Sequence, residues 1–376
     1  PKEGPKGKTT DNSRHYLELS TEEESLLTYL GVNFDKVIVL INNCNQMELG
    51  LLETIPGIDA CMYVGYTGTR GAASLPKLLY GDATPSGRLV DTFAYDLYTN
   101  PSVIWNTPIW SSTDGSYLDK VAGIYIGYKW YETADTMGMW TAENGYEKGY
   151  DGVVQYPFGH GLSYTDFEWT VDDIKVDDVS VTNGAAIKED SKIEFTVTVK
   201  NIGEMKGKDV VEIFGTAPYI NGEIEKSSVE LVAYGKTNEI EPGASETIKI
   251  TVDMYDIASY DCYDKNNNGH KGYELDKGDY IFKLSKNCHV VNQVNYKGKT
   301  EKGEFSFNLA ETKYIDKDPV TKQTVKNLFT GKDAIDLVPI DDTTDTFDPE
   351  IPWLTRSKLS TPSELSALRK NYNRAR

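Results

Sequence analysis

Apolar and polar positions along this chain fall into three regimes, and residues 17–97 fit helices and buried strands. Ser20-Thr21-Glu22-Glu23 has the form of a capping box, with Ser20 as the cap and Glu23 three residues on. Leu26, Leu27 and Leu30 then give one apolar helical face, which Gly31 is expected to end. Val37-Ile38-Val39-Leu40-Ile41 is a continuous apolar run, the pattern of a strand buried on both faces in a parallel sheet covered by helices. Met47, Leu51 and Ile55 recur at i, i+4, i+8 and predict a helix closed by Pro56-Gly57; Ile58 to Tyr66 predicts a second buried strand. Gly65-Tyr66-Thr67-Gly68-Thr69-Arg70-Gly71 lies at that strand's carboxyl end, the edge where open α/β sheets bind ligands. A short apolar element, Ala72 to Tyr80, is interrupted by Pro76 and leads to the turn Thr84-Pro85-Ser86-Gly87.

Residues 98–163 lose the periodicity and gather aromatics: Trp105, Trp110, Tyr117, Trp130, Tyr131, Trp140, Tyr146 and Tyr150. From 164 to 310 the period becomes two, as in Ile193, Phe195, Val197, Val199 and in Ile248, Ile250, Val252, Met254. Phe305, Phe307 and Leu309 repeat it, Val210 to Phe214 and Tyr280 to Leu284 add strands, and Asn201-Ile202-Gly203, Pro242-Gly243 and Lys277-Gly278-Asp279 mark turns. This predicts an antiparallel β-sandwich of about seven strands. Beyond 310 the chain reads as a connector with an acidic run at Asp341-Asp342-Thr343-Thr344-Asp345. Thr361-Pro362-Ser363-Glu364 then predicts a helix start, with Leu365, Leu368 and Tyr372 on one face. The expected fold class is α/β plus all-β: a partial α/β sandwich domain with a parallel sheet at 1–97, an aromatic-rich connector at 98–163, a β-sandwich at 164–310 and a linker at 311–376. "Partial" follows because the elements before 97 are too few for an α/β domain, which normally has about five strands.

At 376 residues, 39% of them hydrophobic, the chain can bury two or three cores. Its net charge of −19 argues against nucleic-acid and anionic-membrane partners, which call for basic patches. No run of about 18 apolar residues predicts a membrane span, and no charged-then-apolar leader opens the sequence. The four cysteines, Cys44, Cys61, Cys262 and Cys288, lack metal-ligand spacing and are expected to be free buried thiols of a reducing compartment, the cytoplasm being favoured.

Several stretches carry a family resemblance. Leu40-Ile41-Asn42-Asn43, the Gly65 to Gly71 loop and Gly81-Asp82-Ala83-Thr84-Pro85-Ser86-Gly87-Arg88-Leu89 resemble the second domain of glycoside hydrolase family 3, a six-stranded α/β sandwich. The loop departs from the family pattern, with Gly68-Thr69-Arg70-Gly71 where Gly-Gln-Glu-Gly is usual. Gly123-Ile124-Tyr125-Ile126-Gly127-Tyr128-Lys129-Trp130-Tyr131-Glu132-Thr133 and Tyr156-Pro157-Phe158-Gly159-His160-Gly161-Leu162-Ser163-Tyr164-Thr165-Asp166-Phe167 resemble members with a fibronectin-III-like domain after the sandwich. The Asp91-Thr92-Phe93-Ala94-Tyr95-Asp96 run, the Asp264 to Asp279 insert and the 314–330 connector resemble a circularly permuted branch, in which the catalytic barrel comes last.

The resemblance implies retaining hydrolysis of β-linked sugars, most often terminal glucose, by two carboxyl groups about 5–5.5 Å apart. The nucleophile would be an Asp of the barrel, which no Asp here matches. The acid/base would be a Glu in a small-residue loop of the α/β domain. Glu3 lies in that neighbourhood, but Pro1-Lys2 replaces the small residues, so the position just upstream of Pro1 is the stronger expectation. By the same analogy Tyr66, Thr67 and Arg70 face the barrel and border the sugar site. The implied partners are an oligosaccharide or β-glucoside and the barrel; no cofactor is implied, and self-association is left open. A different class, a non-catalytic carbohydrate-binding or scaffolding module, also fits an α/β domain fused to a sandwich. Flavodoxin-like nucleotide binding would need a Gly-rich phosphate loop, but Ile41 to Gln46 contains no glycine.

Three other features have an ordinary reading beside a chemical one. The aromatics of 98–163 offer faces for sugar rings but more commonly pack between domains. His160, between two glycines, is expected to make a structural hydrogen bond rather than act as an acid or base. Asp264, Asn266 and Asn268 match positions 1, 3 and 5 of a calcium loop, with Gly269 at position 6. Position 12 is Leu275, however, and Glu274 is one residue short, so an Asn/Gly turn is expected and no metal is assigned.

Overall fold

The computed structural model describes residue 14 and residues 17–105, 109–110, 116–117, 122–325 and 354–366. Near the start, the Glu23 amide donates to Ser20 Oγ (3.2 Å) and the Ser20 amide to Glu23 Oε2 (2.7 Å), closing the capping box of the helix Thr21–Asn33. This helix continues past Gly31. A Cβ on Gly31 would run into the Pro56 carbonyl, and one on Gly57, at φ 82, into the Gly31 carbonyl. The two glycines let helix and turn touch backbone to backbone, which is why Gly31 is needed inside the helix rather than at its end.

Strands Ile38–Ile41 and Ala60–Tyr63 pair in parallel, from Ile38 opposite Ala60 to Ile41 opposite Tyr63. They are shorter than expected and not buried on both faces: Ile41 is buried, whereas Ile38 and Leu40 are exposed. The expected helix over Met47, Leu51 and Ile55 is a single 3-10 turn, Gly50–Glu53. Its buried positions are Leu49, Leu52 and Ile55, the spacing of three that a 3-10 turn brings to one side. Glu48 leaves the pattern to accept from the Leu97 amide at 2.6 Å, and Gly50 lies against the Tyr95 ring. Pro76 breaks the next element into helix Gly68–Gly71, 3-10 turn Ala72–Ser74 and helix Leu75–Leu79.

The period-two region forms two facing sheets, of six and five strands. One runs Ser245–Asp253, Lys192–Asn201, Phe167–Val176, Gln293–Tyr296, Lys299–Lys302, with Val179–Ser180 at its side; the other runs Glu230–Lys236, Val210–Thr216, Gly278–Ser285, Glu304–Leu309, Ala185–Ile187. Ile193, Phe195, Val197 and Val199 from one sheet and Phe282, Leu284, Phe305 and Phe307 from the other are fully buried between them. The fold is α/β with a mainly antiparallel β-sandwich; one pairing in each sheet is parallel, Gln293–Tyr296 on Phe167–Val176 and Ala185–Ile187 on Glu304–Leu309, and the sandwich exceeds seven strands because short strands extend both sheets.

Between these parts lies a third core. The Gly123 to Thr133 motif, aperiodic in sequence, forms the helix Tyr128–Thr136, entered from Gly127 at φ 56. Trp130 Nε1 donates to the Thr99 carbonyl (2.9 Å) and Trp140 Nε1 to the Tyr131 carbonyl (3.0 Å). Trp130, Tyr131, Trp140 and Tyr150 are buried there, so they pack against protein and offer no open face. The side chains of Trp105, Trp110 and Tyr117 lie outside the described residues. Leu354 and Leu365 join the same core. The expected cap of the last helix forms: the Glu364 amide donates to Thr361 Oγ1 (3.2 Å), and residues 362–366 are helical. Residues 354–366, within the expected linker, therefore pack on this core; Asp341 to Asp345, Leu368 and Tyr372 lie outside the described residues. The four thiols are free, but only Cys288 is buried; Cys44 and Cys61 are exposed, because they sit beside and on the short, open parallel sheet. No helix among the described residues is long and apolar enough to cross a membrane.

Candidate functional site

Because the two strands are parallel, both following loops leave from one edge. The Val64 amide donates to the Ile41 carbonyl at 2.9 Å, carrying the pairing one step further. Asn43 Oδ1 then accepts from the Cys44 and Asn45 amides (2.7 and 3.2 Å) in an Asx turn that ends the first strand. Gly65 and Gly68, at φ 58 and 60, turn the second loop outward. Tyr66 is 75% exposed, Thr67 is half-buried and Arg70 is exposed. An open ring, a hydroxyl and a guanidinium on one loop can stack on and hydrogen-bond to a polar ligand, which is binding chemistry.

Asp91 belongs to the same edge. Its Oδ1 accepts from the Thr92 amide at 2.9 Å and lies against Gly127. Burial pushes its carboxyl pKa up, the Thr92 bond opposing. Burial also raises Tyr63, with Cys44 and Asp91 opposing its ionisation, and the Phe93 ring, two residues past Asp91, meets the Tyr63 ring edge-on at 5.5 Å. In the sequence Asp91 stands out only as part of the Asp91 to Asp96 run. The signal of its position would have been its place after a glycine turn that returns to the sheet. Glu3 lies outside the described residues.

The two most specific motifs meet. The Leu89 amide donates to the His160 carbonyl and the Gly159 amide to the Leu89 carbonyl, each at 2.8 Å. The Arg88 guanidinium donates to the Gly161 carbonyl and, at 2.7 Å, to Asp209 Oδ1. Asp209 Oδ2 accepts from Trp169 Nε1 at 2.7 Å. Thr84 Oγ1 donates to the Lys206 carbonyl (2.6 Å) and the Tyr164 hydroxyl to the Leu78 carbonyl (3.0 Å). A Cβ on Gly161 would strike the Gly87 carbonyl, and one on Gly159, at φ 84, would strike Glu212 Oε2. Burial pushes Glu212 up to about 7, with Arg88 opposing and Asp209 adding. The His160 ring stacks on Tyr156, centroids 5.0 Å apart, and its pKa is lowered by burial and by Arg88. Its carbonyl supplies the structural hydrogen bond, while its ring packs.

In the calcium-like loop, Asp264 Oδ1 accepts from the Gly269 amide (3.0 Å), Asn266 Oδ1 from the Asn268 amide (3.3 Å) and Asn268 Oδ1 from the His270 amide (2.8 Å). The side-chain amides of Asn266 and Asn268 both donate to Glu274, at 2.9 and 2.6 Å. Glu274, one residue out of place for a calcium loop, is 1% exposed and is what the two amides converge on. No group of three or more His, Cys, Asp or Glu among the described residues is placed to hold a metal.

The profile of the glycosyl hydrolase family 3 C-terminal domain matches residues 3–164. The chain is 31% identical over 294 residues to β-glucosidase A of Butyrivibrio fibrisolvens, which covers 77% of this chain and 32% of that protein. It is 30% identical over 318 residues to a β-glucosidase of Ruminococcus albus, covering 82% of this chain and 28% of that one. The crystal structure of a β-glucosidase from Paenibacillus barengoltzii superposes with a TM-score of 0.60 at 30% identity, over 78% of this chain and 29% of that one. β-Glucosidase 3B of Thermotoga neapolitana, solved with α-D-glucose, superposes with a TM-score of 0.60 at 25% identity, over 80% and 35%. The chain spans about a third of the length of the curated relatives it matches. It belongs to glycoside hydrolase family 3 and corresponds to the C-terminal α/β and fibronectin-III-like region of that family.

Proposed function

We propose that this chain supplies the accessory parts of a retaining hydrolase of terminal β-D-glucosides, and that its Gly65 to Gly71 loop borders the sugar site. The observation that carries this reading is the open cluster of Tyr66, Thr67 and Arg70 at the carboxyl edge of the parallel strands. The names of the β-glucosidases it resembles support the substrate class. In this reading residues 1–97 are the α/β part, 98–163 join it to the sandwich of 164–310, and 311–376 lead towards a catalytic barrel. The barrel brings the carboxylate nucleophile. This chain binds the sugar's outer hydroxyls and narrows the approach of water, with the acid/base at Glu3 or just upstream of Pro1.

The test is hydrolysis of an aryl β-glucoside by residues 1–376 and by the same segment joined to its barrel. A retaining mechanism depends on a carboxylate beneath the anomeric carbon. Each ~1.4 kcal/mol of lost transition-state stabilisation lowers the rate about tenfold. The chain by itself is expected to stay at background and the joined protein to turn over. Turnover by 1–376 near the rate of the joined protein would overturn the placement. Sugar binding without turnover in the joined protein would favour a non-catalytic module.

A further inference from the structure

His289 ties the sandwich to the helix Tyr128–Thr136 through a buried carboxylate. Asn287 Oδ1 shapes the loop after the strand Gly278–Ser285 by accepting from the His289 and Val290 amides (3.0 and 2.7 Å). The Cys288 amide donates to the Phe158 carbonyl at 2.9 Å. The imidazole Nδ1 thereby stands 3.1 Å from Glu132 Oε2, and the ring lies flat on Tyr150, with centroids 3.8 Å apart and planes 7° apart. Glu132 is 8% exposed. Its other oxygen accepts from the Tyr150 hydroxyl and, at 3.4 Å, from the Cys288 thiol. Burial raises both of those groups well above their ordinary values, so both are neutral donors.

We propose that His289 is a protonation-dependent latch. As imidazolium it holds the loop around Asn287–Val290 against the helix, and as neutral imidazole it releases that loop. A buried carboxylate is costly without a cationic partner. Among the described residues, Lys283, on the strand Gly278–Ser285, also acts on Glu132, but burial lowers its pKa. Asp135, on the helix, and Asp151, in the turn Gly149–Gly152, add their negative charge to the same ring. Burial by itself would lower the imidazole pKa, but the Glu132 hydrogen bond and the three carboxylates outweigh it and raise it. A folded-state value above the unfolded one, which is about 6.5, fixes the sign. The contribution is complete below about 6.5 and is lost as pH rises through the folded value. Two neighbouring contacts do not titrate there: the Ser228 amide to Thr133 Oγ1 (2.9 Å) and the Leu231 amide to the Tyr128 hydroxyl (3.0 Å). The Cys288 amide bond to the Phe158 carbonyl does not titrate either, so release is confined to the part of the loop beyond Cys288.

The test is an NMR titration of imidazole-labelled 1–376, with His289→Gln assigning the signal, and amide exchange of 287–292 followed across the same pH range. In the wild type, His289 is expected to titrate above a free histidine. Exchange in the loop, corrected for its intrinsic pH dependence, is expected to rise in step. His289→Gln should lose that step apart from the part due to Glu212, which also acts on Cys288 and titrates at about 7 and which Glu212→Gln removes, and Glu132→Gln, which keeps the shape and removes the charge, should lower the His289 titration. A wild-type His289 that titrates at or below a free histidine overturns the latch, even if neither variant folds. So does a loop whose corrected exchange is flat, or a Glu132→Gln titration equal to that of the wild type.

Discussion

Arg88 and Asp209, 121 residues apart in sequence, form a 2.7 Å ion pair across the joint between the α/β part and the sandwich. The remaining Asp209 oxygen takes the Trp169 indole, and Arg88 Nη1 reaches the Gly161 carbonyl. Removing one member leaves the other largely buried and uncompensated. Arg88→Ala is expected to cost about 3 kcal/mol in urea unfolding. Arg88→Lys should recover only part of that, because an ammonium cannot serve both acceptors in one plane. A loss of under about 0.5 kcal/mol for Arg88→Ala, as at an ordinary surface site, would contradict this.

Glu212 gives the joint a pH dependence. It is 6% exposed, and burial holds its carboxyl at about 7. A carboxyl raised above its unfolded value, about 4.3, holds a proton that the unfolded chain has lost. The native state then binds more protons, and stability falls as pH rises between those two values. Glu212→Gln should remove this slope. It should gain on the wild type by about 3 kcal/mol between pH 4 and pH 8. Glu48, also raised to about 7 by burial, keeps its own slope in both proteins, so the difference between them is the quantity to read.

Gly159 faces Glu212 at φ 84, whereas Gly243, at φ 76, has open space around its missing Cβ. Gly243→Ala should therefore cost only the left-handed backbone term, about 1–2 kcal/mol. Gly159→Ala adds a collision with a buried carboxylate and should cost more, about 2–4 kcal/mol. Equal thermal midpoints for the two variants would mean that the joint yields where the geometry says it is tight.

In the protein joined to its barrel, Tyr66→Ala, Thr67→Ala and Arg70→Ala are each expected to lower kcat/KM by about tenfold, equivalent to one lost stacking or hydrogen-bonding contact. Exposure predicts unfolding midpoints close to wild type. Wild-type kinetics in all three would remove the loop from the sugar site.

What was legible in the sequence follows from burial geometry. The sandwich was readable because one face of each strand meets the core, and Ile193, Phe195, Val197 and Val199 announce that face at period two. The helix Tyr128–Thr136 was not, because Trp130, Tyr131, Glu132, Thr133 and Ala134 are all buried, and a helix covered on every side has no stripe. After the first strand, Leu49, Leu52, Ile55 and Met47, Leu51, Ile55 are both present in the same nine residues; Leu49 and Leu52 are buried with Leu19 and Phe93, while Met47 and Leu51 reach that core only partly buried. At the candidate site, the Gly65 to Gly71 loop was visible from its polar, glycine-bounded composition. Asp91 was not, since it joins that edge through a return of the chain that no local pattern records. The motif strings were recognisable without revealing that they touch.

That contact has a consequence for exchanging parts between relatives. A chimera that takes its sandwich from another member at residue 164 would keep Arg88, Leu89 and Gly159 while importing new neighbours for them at 209 and 212. The cut would pass through the interlocked backbone and separate an arginine from its acid. Residues 87–89, 157–161 and 209–212 are bonded into one unit, and a graft that carries all three together is the one expected to recombine without loss.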